Sequence, residues 1–132
     1  MTVVVGYIPD AFGEAALEAG VEEAARRGTD LVVVNATKGD ALVDRRYVAA
    51  DAWVDLGRRL TELDRPHQLR RAMGPDVAED ILAVVRETDA QLVVIGIRHR
   101  TPVGKMIMGS VAQQVLLAAP CPVLAVKPAG AG

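Results

Sequence analysis

Short runs of β-branched and aliphatic residues recur along this chain without polar residues between them. The clearest are residues 2–6 (TVVVG), 31–34 (LVVV), 92–95 (LVVI) and 123–126 (VLAV). A strand that does not alternate between apolar and polar residues is typical of a sheet covered on both faces, as parallel sheets are. This pattern constrains the fold more than any other feature of the sequence.

Amphipathic segments separate these runs. Leu17, Val21 and Ala24 share one helical face, and Gly28 ends that segment. A weaker strand candidate, residues 67–73, has Leu69 as its one strongly apolar residue. Three further helical patterns cover residues 49–63, 77–85 and 110–119.

The third helix carries explicit start signals. Gly74-Pro75-Asp76 precedes its apolar face, and proline suits the first helical position. Asp76, Glu79 and Asp80 suit the positive end of the helix dipole. The sequence therefore predicts a helix that begins at Pro75.

Strands that alternate with single helices predict a doubly wound α/β domain with a five-stranded parallel sheet. We expect the strand order 3-2-1-4-5 in a Rossmann-like or flavodoxin-like three-layer sandwich, formed by residues 1–128 with a flexible tail at 129–132. Ligands of such sheets bind beyond the carboxyl ends of the strands. The turns after Gly6, Val34 and Ile95 are thus the places for a site.

Composition excludes several classes of function. The 132 residues carry a net charge of −2, with 15 basic and 17 acidic residues, so a nucleic-acid-binding protein is not expected. The single cysteine, Cys121, cannot form an internal disulfide and is interpreted as a small buried hydrophobe. Without a basic N-terminal head or a long apolar run, the chain is expected to be cytoplasmic and not membrane-bound.

The turn after residue 95 is the most informative one. It runs from Gly96 to Gly109-Ser110, where a helix begins. Backbone N–H groups, a hydroxyl and the helix dipole make such a start an anion site, and Gly96 would let a ligand approach the backbone. The alternative is a glycine turn and an ordinary N-cap, with the basic residues of the loop merely solvated. Those residues are Arg98, Arg100 and Lys105.

Two common phosphate-binding motifs do not fit. A P-loop needs glycine where this chain has His99 and a hydroxyl residue where it has Met106. The first turn, after Gly6, has one glycine where a dinucleotide fingerprint needs three.

The chain resembles the universal stress protein family, in a single-domain form. The resemblance spans nearly the whole sequence, and its most specific parts are the glycine loop and the Pro-Cys-Pro-Val strand before a terminal lysine. The matching pieces are VVVG at 3–6, EAAL at 14–17, LVVVN at 31–35, VVIG at 93–96, PVGK at 102–105, GS at 109–110 and APCPVLAV at 119–126.

ATP-binding members of that family carry the pattern Gly-x2-Gly-x9-Gly-[Ser/Thr] in this loop. Gly96, Gly109 and Ser110 match it at the correct spacing, and His99 stands where the second glycine would be. Ile8 stands where the family has an aspartate that contacts the nucleotide after the first strand. Asp10, two residues further on, could substitute for it, and it is equally suited to cap the first helix.

The resemblance implies a dimeric stress-response protein that binds ATP, with Mg²⁺, at this loop. Backbone groups near Asn35 and Ala36 would meet the adenine edge. Gly96 and the loop through His99 would approach the ribose and phosphates, and Gly104 would also belong to the nucleotide site. Arg98, Arg100 and Lys105 could neutralise the charge of the triphosphate. The triphosphate would take its remaining contacts from Gly109, Ser110 and Val111.

The second hypothesis for the function is a dimeric interaction module of the same fold that has lost its ligand, and Ile8 and His99 favour it. The third hypothesis is a nucleotide-hydrolysing enzyme. No residue pattern argues for catalysis, since no base or water-positioning carboxylate is identifiable. Because the final strand, residues 123–126, is short, apolar and terminal, a homodimer through its edge is expected.

Overall fold

The computed structural model describes residues 1–39, 44–63, 65–97 and 109–128. Five strands and four helices alternate along the chain. The strands are β1 (Thr2–Gly6), β2 (Asp30–Thr37), β3 (His67–Met73), β4 (Ala90–Gly96) and β5 (Val123–Val126). The helices are α1 (Ala11–Arg27), α2 (Ala50–Thr61), α3 (Val77–Glu87) and α4 (Ser110–Ala118).

All strand pairs are parallel, and the sheet order is β3-β2-β1-β4-β5. The predicted architecture and order are therefore confirmed. β1 lies at the centre, and the chain winds outward from it in both directions. The switch point of the strand order falls between β1 and β4, so a crevice is expected beyond their carboxyl ends.

The sheet is buried on both faces by two separate apolar cores. Val4 of β1 faces the core that α3 and α4 cover, whereas Val3 and Val5 face the core under α1 and α2. All three are fully buried, which explains why the strand reads as continuously apolar. Ile81 and Leu56 belong to these two cores in turn.

Several boundaries differ from the sequence predictions by a few residues, and two of them are described here. The predicted second strand ended at Val34, but β2 continues to Thr37, because Asn35 and Thr37 are buried along with their apolar neighbours. The predicted helix start at Pro75 was wrong. Asp76 is the N-cap of α3, and its side chain accepts a hydrogen bond from the backbone N–H of Glu79, so the helix begins one residue after the cap.

The predicted tail at residues 129–132 lies outside the described residues. Among those described, no helix combines the length and apolar character that crossing a bilayer requires. Cys121 is partly buried against the core under α3 and α4, and burial raises the pKa of its thiol.

Candidate functional site

A cleft of about 890 Å³ opens at the carboxyl edge of the sheet. It extends from β2 across β1 to β4, so it lies over the switch point of the strand order. Its floor is apolar, with Val34, Val77, Ile81 and Ile95 among the lining residues. Its rim is polar, and the N-terminal ends of α1, α3 and α4 all contribute residues to it.

The turn between β1 and α1 forms one wall through Ile8 and Asp10. Asp10 is the N-cap of α1, and its Oδ1 accepts a hydrogen bond of 3.0 Å from the backbone N–H of Gly13. A carboxylate at this position satisfies the positive end of the helix. The Asp10 carboxylate is therefore already hydrogen-bonded to α1. Ile8 gives this wall an apolar side chain.

The two glycines of the predicted motif have different surroundings. A Cβ added at Gly96 would lie 2.4 Å from the carbonyl oxygen of Phe12, so Gly96 is required where β4 ends against the first turn of α1. A Cβ added at Gly109 would have no described atom within 4 Å. Of these two glycines, only Gly109 has no described atom near the position of a Cβ, and Gly109 lines the cleft.

The N-terminus of α4 lies at the cleft. Gly109 is its N-cap, and among the described residues no side chain caps this helix start. Ser110 is exposed and lines the cleft together with Val111. α1 and α3, by contrast, are capped by Asp10 and Asp76. The first N–H groups of α4 thus have no side-chain cap among the described residues, and uncapped groups of this kind attract anions.

At the β2 side of the cleft, Ala36 lines the wall and Asn35 lies beneath it. Asn35 is 1% exposed, and its Nδ2 donates to the carbonyl oxygens of Tyr7 (2.9 Å) and Arg46 (2.7 Å). Its Oδ1 accepts from the backbone N–H of Val48 (3.2 Å). Asn35 therefore ties the end of β1 to the segment that precedes α2.

The segment Asp44, Arg45 and Arg46, here called the β2–α2 turn, also lines the cleft and was not among the predicted site residues. Asp44 is buried and accepts hydrogen bonds from the backbone N–H groups of Lys38 (2.8 Å) and Arg46 (3.0 Å), and from Arg46 Nη1 (3.1 Å). Burial raises the pKa of Asp44, but these donors together outweigh it, so the pKa lies below its ordinary value. The polar sequence of this turn is typical of a solvated loop, and only the structure shows that it forms a wall of the cleft.

A hydrogen-bonded network supports the β1–α1 wall from behind. The buried Tyr7 hydroxyl donates to Glu14 of α1, and Arg59 of α2 donates to the same carboxylate at 2.8 Å. Burial and the contact with Glu14 raise the pKa of Tyr7 to about 12, and the hydrogen bond from Arg59 lowers the pKa of Glu14. The network joins three elements around the end of β1.

Seven of the predicted site residues line this one cleft: Ile8, Asp10, Ala36, Gly96, Gly109, Ser110 and Val111. Asn35 lies below the wall, with its side chain occupied by the three contacts given above. Arg98, His99 and Gly104 lie outside the described residues. Within the described ranges, no group of three or more His, Cys, Asp or Glu side chains is arranged to hold a metal ion.

The chain is similar to known proteins over nearly its whole length. The model of the universal stress protein family matches residues 1–127. A universal stress protein of Mycolicibacterium smegmatis is 52% identical over 128 residues, which cover 97% of this chain and 98% of that protein.

Solved structures agree with this similarity. A universal stress protein of Archaeoglobus fulgidus superimposes with a TM-score of 0.70 at 29% identity, covering 96% of this chain and 97% of that one. The structure of the universal stress protein from the same organism in complex with dAMP gives a TM-score of 0.65 at 26% identity, covering 96% of each chain. The sequence match, the sheet order and the cleft at the switch point lead to one conclusion: this chain belongs to the universal stress protein family.

Proposed function

We propose that this protein binds an adenine nucleotide, ATP with Mg²⁺, in the cleft at the carboxyl edge of the sheet, and acts as a dimeric regulator in the cytoplasmic stress response. The observation that carries the proposal is the start of α4, which faces the cleft without a side-chain cap among the described residues. The A. fulgidus relative in complex with dAMP, at 26% identity, supports an adenine nucleotide as the ligand class.

The phosphate end of the ligand is assigned to α4. The first N–H groups of a helix and its dipole attract a phosphate, and the Ser110 hydroxyl adds a donor at the same place. No described atom lies within 4 Å of where a Cβ of Gly109 would be, which supports a close approach of the phosphate to the backbone.

The nucleoside end is assigned to the apolar floor and the β2 side. Val34, Ala36, Val77 and Ile81 offer a surface for a flat base. β2 and β4 are two strand spacings apart, about 10 Å, a span of the same order as a nucleoside monophosphate. One ligand can therefore contact α4 and β2 together.

Mg²⁺ would enter with the triphosphate. It prefers oxygen ligands and keeps several waters, and the carboxylates of Asp10 and Asp44 are engaged in the two turns. Phosphate oxygens and water would therefore supply most of its coordination, and the protein would hold the nucleotide rather than the ion.

Calorimetric titration tests this proposal. ATP with Mg²⁺, and AMP without it, are titrated into the purified protein, and a denatured extract is analysed by chromatography for co-purified nucleotide. We expect micromolar binding that Ser110→Ala weakens and that Arg58→Gln, on the outer face of α2, leaves unchanged. ATP recovered intact after incubation would fit binding without turnover, and ADP production would favour a hydrolase.

The second candidate is a ligand-free interaction module of the same fold. Two observations favour it: the apolar side chain of Ile8 lines the cleft, and the carboxylate of Asp10 is hydrogen-bonded within α1. The double variant Ile8→Asp, His99→Gly distinguishes the two. If wild type binds no nucleotide at millimolar concentration and the double variant does, the ligand has been lost through these positions.

A further inference from the structure

The β2–α2 turn forms the end of the cleft opposite α4. Its three residues follow Ala36 along the rim, and each lines the cleft. The residues of the β2–α2 turn are not part of the motif in the glycine loop. The contacts that a ligand can make at this end of the cleft depend on the position of the Arg46 side chain.

Arg46 is held at three points. Its backbone N–H donates to Asp44 Oδ1 at 3.0 Å, and its carbonyl oxygen accepts from Asn35 Nδ2 at 2.7 Å. Its guanidinium Nη1 donates to the same Asp44 oxygen at 3.1 Å. The Asp44 side chain is 4% exposed, so this anchor is fixed in the protein interior. Because the turn is held before a ligand arrives, little conformational entropy is lost on binding.

The chemistry of this arginine suits a base better than a phosphate. Asp44 offsets the charge of the guanidinium, so its attraction for an anion is weakened. Its planar fork keeps further N–H donors and an aromatic-stacking face, since a guanidinium carries five N–H groups. The Arg46 side chain is 38% exposed and Arg46 lines the cleft, so a ligand in the cleft can contact this side chain.

We propose that Arg46, oriented by Asp44, is a specificity-determining residue that recognises the purine base of a nucleotide whose phosphate lies at α4. This inference rests on the proposed function, because it assigns the base end of the same cleft. Arg46 would therefore favour a ligand that carries a base over one that has only a sugar and a phosphate.

The experiment compares AMP with ribose 5-phosphate, which keeps the sugar and the phosphate but lacks the base. Affinities for wild type, Arg46→Gln and Arg46→Lys are measured by calorimetry and by ligand-observed NMR. We expect both variants to weaken AMP about tenfold and to leave ribose 5-phosphate unchanged within twofold. Arg58→Gln is the control for net charge, since Arg58 pairs with Asp55 on the exposed face of α2.

Two outcomes would overturn the inference while leaving the proposed function in place. An equal loss for AMP and ribose 5-phosphate would mean that Arg46 acts on the phosphate or through overall charge. Full AMP affinity in Arg46→Lys would mean that charge suffices and the planar fork is not used. If wild type binds neither AMP nor ATP, the proposed function itself fails, and this assignment fails with it.

Discussion

A methyl group added at Gly96 would place a carbon 2.4 Å from the carbonyl oxygen of Phe12, whereas one added at Gly109 would have no described atom within 4 Å. At the scale of single residues, we therefore expect Gly96→Ala to reduce the free energy of unfolding by about 1–3 kcal/mol. Gly109→Ala should change it by no more than about 0.5 kcal/mol, because its φ of −62° and ψ of 155° suit alanine. Urea unfolding of both variants measures this difference.

Gly109→Ala also tests the proposed site. Its methyl group would occupy the space assigned to a phosphate, so we expect ATP affinity to fall about tenfold while stability is kept. Unchanged affinity in a folded Gly109→Ala variant would contradict the placement of the phosphate at α4. The sequence analysis placed both glycines at the ligand site. It could not show that Gly96 is also needed for packing, because the contact between Gly96 and Phe12 joins distant parts of the chain.

Tyr7 is a second residue whose role can be tested alone. Its buried hydroxyl donates to Glu14, which also pairs with Arg59. We expect Tyr7→Phe to lower the free energy of unfolding by about 1–2 kcal/mol at pH 7, because the hydrogen bond to a carboxylate is lost. Urea unfolding measures the change, and Tyr47→Phe is the matched control, since the Tyr47 ring packs against Arg71.

The pH dependence of the same network has a defined sign. The pKa of Tyr7 is raised from 10.0 to about 12 in the folded protein, so folding favours the protonated phenol. The stability from this group is complete below pH 10 and is lost as the pH rises from 10 to 12. Wild type should therefore lose more stability over this interval than Tyr7→Phe. Parallel curves for the two proteins would contradict the role given to the phenol.

At the scale of elements, α1 packs closely against its neighbours at two glycines: Gly13 faces the turn that precedes the helix, and Gly20 faces the sheet. A Cβ at Gly13 would lie 1.7 Å from the carbonyl oxygen of Ile8, and one at Gly20 would lie 2.2 Å from Val5 Cγ2. Alanine is the better helix former, so helix propensity alone predicts that both substitutions stabilise. We expect the opposite: the free energy of unfolding should fall by about 1–3 kcal/mol for Gly20→Ala and by more for Gly13→Ala. The larger effect is expected at Gly13 because its new Cβ would meet backbone atoms, which move less easily than the side chain of Val5.

Gly57→Ala in α2 is the comparison for these variants. Its Cβ would meet only Leu69 Cδ1 at 3.3 Å, at the end of a flexible side chain, so its cost should be much smaller. Urea unfolding of the three variants ranks them. A Gly13→Ala protein as stable as Gly57→Ala would contradict the close packing of α1.

The elements differ in how far sequence could predict them. The apolar runs of β1 and β4 predicted these strands directly. β3 was predicted from Leu69 and from its position between two helical segments. The start of α3 was misplaced because Pro75 and Asp76 are both start signals, and the hydrogen bond to Glu79 decides between them. The wall at Asp44 could not be predicted: its donors Lys38 and Arg46 are near in sequence, but the residues alone do not show that the turn directs them at a buried carboxylate.

At the scale of the whole molecule, the open edge of the sheet carries the proposed dimer. β5 pairs with β4, and its four residues are each partly exposed. The carbonyl oxygens of Pro122 and Val126 accept from β4 and from the residue after it, at Val93 and Ile97. Because amide directions alternate along a strand, the amide groups of Val123 and Ala125 face the outer edge. An unpaired edge of this kind is a template for a second copy.

Ala125→Pro tests this edge, because proline there removes an outward N–H and leaves the bonds to β4 in place. We expect wild type to be dimeric by light scattering at micromolar concentration and Ala125→Pro to be monomeric with the same circular dichroism spectrum. Leu117→Glu, at an 81% exposed position on the neighbouring α4, separates the strand edge from the helix face. A dimer that Ala125→Pro preserves and Leu117→Glu abolishes would place the interface on α4, and a monomeric wild type would remove the assembly from the proposed function.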